Sequence, residues 1–171
     1  MRPERIALWT GAALVAACFA ALALVGSCAN MTPDRIGLDD GKLRPCPSSP
    51  NCVSSDASDE GHAVEPLRIA TSPDEAWTTL AEILRERPRT KITARTDRYL
   101  HAEVRSALFR FVDDVEFHLR PVEGIIAVRS ASRVGYSDLG VNRRRVEGLR
   151  DAMRARGQLV PEGGDRGPAR P

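Results

Sequence analysis

From Phe111 to Leu119 apolar and polar residues alternate in large part with a period of two, the pattern of β-strands. Phe111, Asp113, Val115, Phe117 and Leu119 fall on one side, and Val112, Asp114, Glu116 and His118 on the other. Pro121 and Gly124 bracket a turn, and Ile125 to Val134 is strand-like again, so the stretch predicts an antiparallel hairpin. With Val122 and Glu123 as its loop residues, Phe117 lies opposite Val128, Glu116 opposite Arg129 and Asp113 opposite Ser132. A slip of one residue would send every side chain to the wrong face.

The same reading extends in both directions. Lys91 to Thr96 and Tyr99 to Phe109, joined by Asp97 and Arg98, form a second hairpin, and Glu65 to Ile69 a short first strand. Leu100, Ala102, Val104, Ser106 and Leu108 share a parity that joins the core face and brings Ser106 beside Asp113. Ser72-Pro73-Asp74-Glu75 is a helix start, with serine as cap, proline first and glutamate three after the cap. Ala76, Trp77, Leu80, Ile83 and Leu84 form one apolar stripe, and Pro88 ends the helix. Val146, Leu149 and Met153 mark a last helix, capped by Asp138 or Asn142. The expected fold is α+β: one antiparallel sheet of four to five strands with two helices on one face, in the order β-α-β-β-β-β-α.

Outside this domain the pattern changes. Arg2 and Arg5 precede an apolar run, Ile6 to Val25, followed by Gly26, Ser27 and Cys28, which has the layout of an export signal over residues 1–27. The ending resembles a bacterial lipoprotein cleavage box, which implies lipidation of Cys28; the rival is an uncleaved membrane anchor, since the run is long enough to span a bilayer. Either places the domain in the cell envelope, membrane-attached and facing the periplasm or exterior. Residues 28–63 read as a linker, within which Cys46 and Cys52 are expected to close a small disulfide loop. Residues 64–157 are the α+β domain, and from Gln158 to Pro171 the loss of apolar periodicity predicts a disordered tail.

Composition narrows the function. The chain has 171 residues, 42% hydrophobic and 28% charged, enough for one modest core. Its net charge of +2 gives no basic field for nucleic acid. No metal constellation, phosphate loop or catalytic triad is evident, and no cofactor is implied.

The chemistry that remains is polar residues on an apolar sheet. Asp113, Ser106, Ser130 and Ser132 would cluster at one end of the core face, where a bare buried carboxylate would cost several kcal/mol. On the other face Glu103, Arg105, Asp114, Glu116, Arg129 and Arg133 read as a solvated charge lattice, with His101 and His118 also toward solvent. Arg143, Arg144 and Arg145 stand where the helix dipole disfavours cations. Asp113, Asp114, Glu116 or Asp138 would compensate them, or else an external anion held with the free helix amides.

CPSSPNCVSS at 46–55, RFVDDVEFHL at 110–119 and VRSASRVGYSDLGVNRRRVE at 128–147 together resemble the family called domain of unknown function 1499. The resemblance covers about residues 43–156 and brings no activity, substrate or catalytic residue with it. It implies that Asp113, Asp114, Glu116, Arg129, Ser130, Ser132, Arg133, Asp138, Asn142 and Arg143 belong to the family's pattern. The first functional expectation is a non-enzymatic envelope lipoprotein domain that binds a small molecule or an envelope component. The alternatives are a hydrolase-like enzyme using Asp113 or Asp114 with arginines on an anionic substrate, and a structural module that binds a partner protein.

Overall fold

The hairpin register that the alternation predicts is the register observed. In the computed structural model, which describes residues 36–161, Asp113 lies opposite Ser132, Glu116 opposite Arg129 and Phe117 opposite Val128. In chain order the elements are β1 (Leu38–Asp39), β2 (Lys42–Leu43), β3 (Cys52–Ser54), β4 (Leu67–Arg68), α1 (Pro73–Glu86), β5 (Thr90–Arg95), β6 (Tyr99–Arg105), β7 (Val112–Arg120), β8 (Ile125–Ser132) and α2 (Val141–Ala155).

The fold is α+β, but the sheet is larger than expected. Strands β3-β8-β7-β6-β5 run side by side in antiparallel pairs, and β4 joins β8 on the same edge as β3, making six strands rather than four to five. Strands β1 and β2 form a separate hairpin. The extra strands come from the segment expected to be linker, where short, polar strands leave no run of alternation to read. The Cys46–Cys52 disulfide is present, with an S–S distance of 2.04 Å, and Cys52 itself belongs to β3.

Both helices cover one face of the sheet. Ser72 caps α1, its hydroxyl accepting from the Glu75 amide at 3.3 Å, with Pro73 in the first turn. The stripe Ala76, Trp77, Leu80, Ile83 and Leu84 is buried against Leu100, Ala102, Phe117 and Val128 of the sheet and Leu149 and Met153 of α2. Each such aliphatic or aromatic side chain contributes about 1.5–3 kcal/mol on burial. Trp77 also donates its indole N–H to the Thr96 carbonyl at 3.2 Å, fastening α1 to the β5–β6 turn.

Four expectations fail on inspection of the ends and faces. Strand β6 stops at Arg105, so Ser106 does not sit beside Asp113; its hydroxyl accepts from the Phe111 amide at 2.9 Å and closes the β6–β7 loop, while Val104 faces Asp113. Leu108 leaves the core for the same reason and is 79% exposed. Gln158 and Leu159, assigned to the tail, are buried, with Leu159 bridged to Ile69. The charged face of the sheet is not solvated, because the 36–44 segment lies over it: Gly37 donates its amide to Glu116 Oε1 at 2.6 Å and Leu43 is buried. The export signal, Cys28 and residues 162–171 lie outside the described residues. Among the described residues no helix is long and apolar enough to cross a membrane.

Candidate functional site

Asp113 and Asp114 are successive residues of one strand, so their side chains leave opposite faces of the sheet. Each face organises its own polar layer, and the two are built differently.

On the helix face, Asp113 ends an otherwise apolar row and meets Arg145, one turn into α2. That guanidinium also donates to Ser130 Oγ at 2.8 Å and to the Asn142 side-chain oxygen. Ser130 in turn donates to Asn142 Oδ1 at 2.6 Å, while the Asn142 amide reaches Ser132 Oγ at 3.0 Å and the Asn51 carbonyl at 2.9 Å. Asn51, immediately before β3, donates to the Gly135 carbonyl at 2.6 Å. The cluster therefore ties β3, β7, β8 and α2 together with its polar atoms bonded to one another, as burial requires.

Beside it opens a cavity of about 340 Å³ between the end of α1, the turn into β5, the sheet and the start of α2. Leu84, Val104, Val115 and Leu149 give it an apolar floor, and Arg87, Arg89, Arg144 and Arg145 bring four guanidiniums to its wall. Among the described residues no carboxylate lines it. Arg145 meets Asp113, but Arg87 donates to the Gly148 carbonyl, Arg89 to the Arg105 carbonyl at 3.2 Å and Arg144 to the Leu139 carbonyl at 2.9 Å. Burial, and after it the charge of Arg145, hold the Arg87 guanidinium below its ordinary pKa.

The start of α2 is not an open anion site of its own. Gly140 takes the left-handed conformation that begins the helix, with φ of 76°. Asp138 then accepts from the Gly140 amide at 2.9 Å and the Asn142 amide at 2.7 Å. Partial burial pushes its carboxyl up, and those amide bonds outweigh this and hold it below the usual carboxylate value. Arg143 points away, donating to the Ala63 and Gly61 carbonyls at 2.8 and 3.1 Å.

The opposite face carries a closed ionic lattice. Arg133 grips Asp114 through Nε at 3.0 Å and a terminal nitrogen at 2.8 Å, and reaches Glu103 at 2.7 Å. His101 Nε2 lies 2.7 Å from Asp114 and its Nδ1 2.6 Å from the Thr93 hydroxyl. Arg129 meets Glu116 at 2.7 Å, and Glu116 also accepts from the Tyr99 hydroxyl at 2.8 Å. Burial raises the Asp114 carboxyl, but its bonds with His101 and Arg133 prevail and leave it lowered. Burial, then Glu116, push the Tyr99 hydroxyl up.

The ten residues of the family's pattern therefore divide. Asp113, Ser130, Ser132 and Asn142 share the helix face; Asp114, Glu116, Arg129 and Arg133 lie on the other; Asp138 caps α2 and Arg143 binds a loop. Arg129 and Arg133 do not face Asp113; they lie with Asp114, which Arg133 binds at 3.0 and 2.8 Å. His101, expected toward solvent, is 3% exposed because the network encloses it. Sequence reasoning missed the cavity arginines Arg87 and Arg89, whose only signal was their place at a helix end, and it left Arg145 undistinguished from its two neighbours.

A family model described as "Protein of unknown function (DUF1499)" matches residues 42–153, well over half of the chain and all of both polar layers. No curated protein and no solved structure matches.

Proposed function

The chain belongs to the family of proteins of unknown function DUF1499, and since that membership supplies no activity, we propose that its domain binds an anionic small molecule with an apolar body in the arginine-walled cavity. The observation that carries this reading is the imbalance of the wall: four guanidiniums, no lining carboxylate and an apolar floor. An acid head group would meet the arginines, Arg87 foremost, and a short hydrocarbon would cover the floor. The volume is at the lower end of the range of small-molecule sites. We further propose that the domain works in the cell envelope, attached by its N-terminal segment; the disulfide suits an oxidising compartment and the apolar run Ile6 to Val25 suits a membrane.

The test uses a fragment beginning at residue 36, titrated calorimetrically with decanoate, decanol and inorganic phosphate. Decanoate is expected to bind and decanol to bind at least about tenfold more weakly, the worth of one charge-assisted bond. Arg87→Leu is expected to remove that preference. Equal binding of acid and alcohol, or none of either, would overturn the reading.

A further inference from the structure

Among the described residues eight large apolar side chains are notably exposed, and five of them lie at one end of the sheet. Leu108 and Phe109, 79% and 58% exposed, are on the β6–β7 loop; Tyr136 and Leu139, at 78% and 84%, are on the β8–α2 connection, and Val141, at 41%, opens α2. The register puts both loops at the same end, since Arg105 pairs with Val112, Asp113 with Ser132, and the Arg133 amide donates to the Val112 carbonyl at 3.2 Å. Thr90 pairs with Val104, so β5 begins there too and brings Arg89 with it.

Cations rim these side chains. Arg89, Arg110 and Arg144 are exposed at this end. Asp138 is the one acid in the two loops, and it is occupied by the amides of Gly140 and Asn142. Three of the four non-glycine residues with positive φ are here as well: Arg89 at 58°, Arg110 at 55° and Leu139 at 52°. Side chains with a Cβ resist that conformation, yet Leu139 and Arg110 hold it without packing inside the protein.

We propose that this end of the domain docks on a lipid bilayer carrying anionic head groups, with Leu108, Phe109, Tyr136 and Leu139 entering the interface and Arg89, Arg110 and Arg144 meeting the phosphates. Charge complementarity selects this occupant: aliphatic and aromatic residues on protruding loops with a basic rim match an anionic interface, whereas an uncharged apolar partner would leave the arginines unused. The contact is separate from any N-terminal attachment. Arg89, Val141 and Arg144 border both it and the cavity, so the cavity lies at the docked end and shares two arginines with the bilayer contact.

The test places an environment-sensitive fluorophore on the full chain, in a background of Cys18→Ser and Cys28→Ser, at Leu108→Cys, Leu139→Cys or Val122→Cys, the last at the far end on the β7–β8 turn. The labelled protein is reconstituted in phosphatidylcholine vesicles with or without phosphatidylglycerol, both containing lipids spin-labelled along the acyl chain. Quenching and a blue shift are expected at residues 108 and 139 in the anionic vesicles and not at residue 122. Arg110→Ala and Arg144→Ala should each weaken docking about fivefold, the equivalent of one cation at an anionic surface. Absence of quenching at both loop positions, as a protein partner would give, overturns the inference. So does equal quenching at residue 122, or an effect indifferent to phosphatidylglycerol.

Discussion

The two faces of the sheet bury charge in opposite ways. Behind the sheet, Glu103, Asp114 and Glu116 are met by Arg105, Arg129 and Arg133, with His101, Thr93 and Tyr99 adding hydrogen bonds and Gly37 of the 36–44 segment reaching Glu116. Beneath the helices, Asp113 answers Arg145, while Arg87, Arg89 and Arg144 turn to backbone carbonyls around a cavity. The rear lattice gives each acid a guanidinium and leaves only the buried Arg129 Nε of its groups without a partner, so its removal shows as lost stability. On the helix side Arg89 and Arg144 are exposed at the cavity and donate to backbone carbonyls, so an incoming anion has cations to meet. Burial alone therefore does not separate structure from site. Charge balance does.

The largest effect expected from breaking this contrast is at Glu116, which is fully buried and holds Arg129, Tyr99 and Gly37 at once. Glu116→Ala should cost about 3–5 kcal/mol in urea denaturation, because it strands a buried guanidinium, while decanoate binding to the folded fraction stays unchanged. A loss below about 1 kcal/mol would mean that the rear lattice is not what holds the N-terminal segment.

Asp113→Asn sharpens the comparison from the other side. It removes the one carboxylate that meets a cavity arginine, so it should cost about 2–3 kcal/mol yet strengthen decanoate binding severalfold, as Arg145 is released to the ligand. Weaker binding with intact folding would show that Asp113 positions Arg145 for the anion rather than competing with it.

The smallest effect is at Asp138, which meets no arginine and accepts from the backbone amides of Gly140 and Asn142 at the start of α2. Asp138→Ala should cost about 1 kcal/mol, the usual worth of a helix cap. Since the folded carboxyl is held below the ordinary aspartate value, its contribution is present above that value and is lost as pH falls through the lowered folded one. Urea midpoints of wild type and variant should therefore converge in acid, and parallel pH curves would show that the bonds to Gly140 and Asn142 are not charge-assisted.

Much of the frame is legible in the residues. The β7–β8 register follows from alternation plus a turn bounded by Pro121 and Gly124, and α1 from Ser72, Pro73, Glu75 and one apolar stripe. The placement of Asp113 inward and Asp114 outward follows from the same period of two. Part of what failed depended on elements too short to show a period: β3 adds three residues to the sheet edge, and β1 and β2, two residues each, belong to the segment that covers the rear face. Arg145 could not be told from Arg143 and Arg144, because adjacent helix residues differ only in angular position, and that selects a partner only once the helix is docked.

By itself, then, the sequence determined the periodic elements, their order, the β7–β8 register and which carboxylate faces which way, since these depend on local periodicity and turn chemistry. Tertiary structure alone decided which charges are matched and which are left over. That outcome depends on which segments of distant sequence close over each face, and a charged residue looks the same in the chain whether it ends in water, in a salt bridge or on the wall of a cavity.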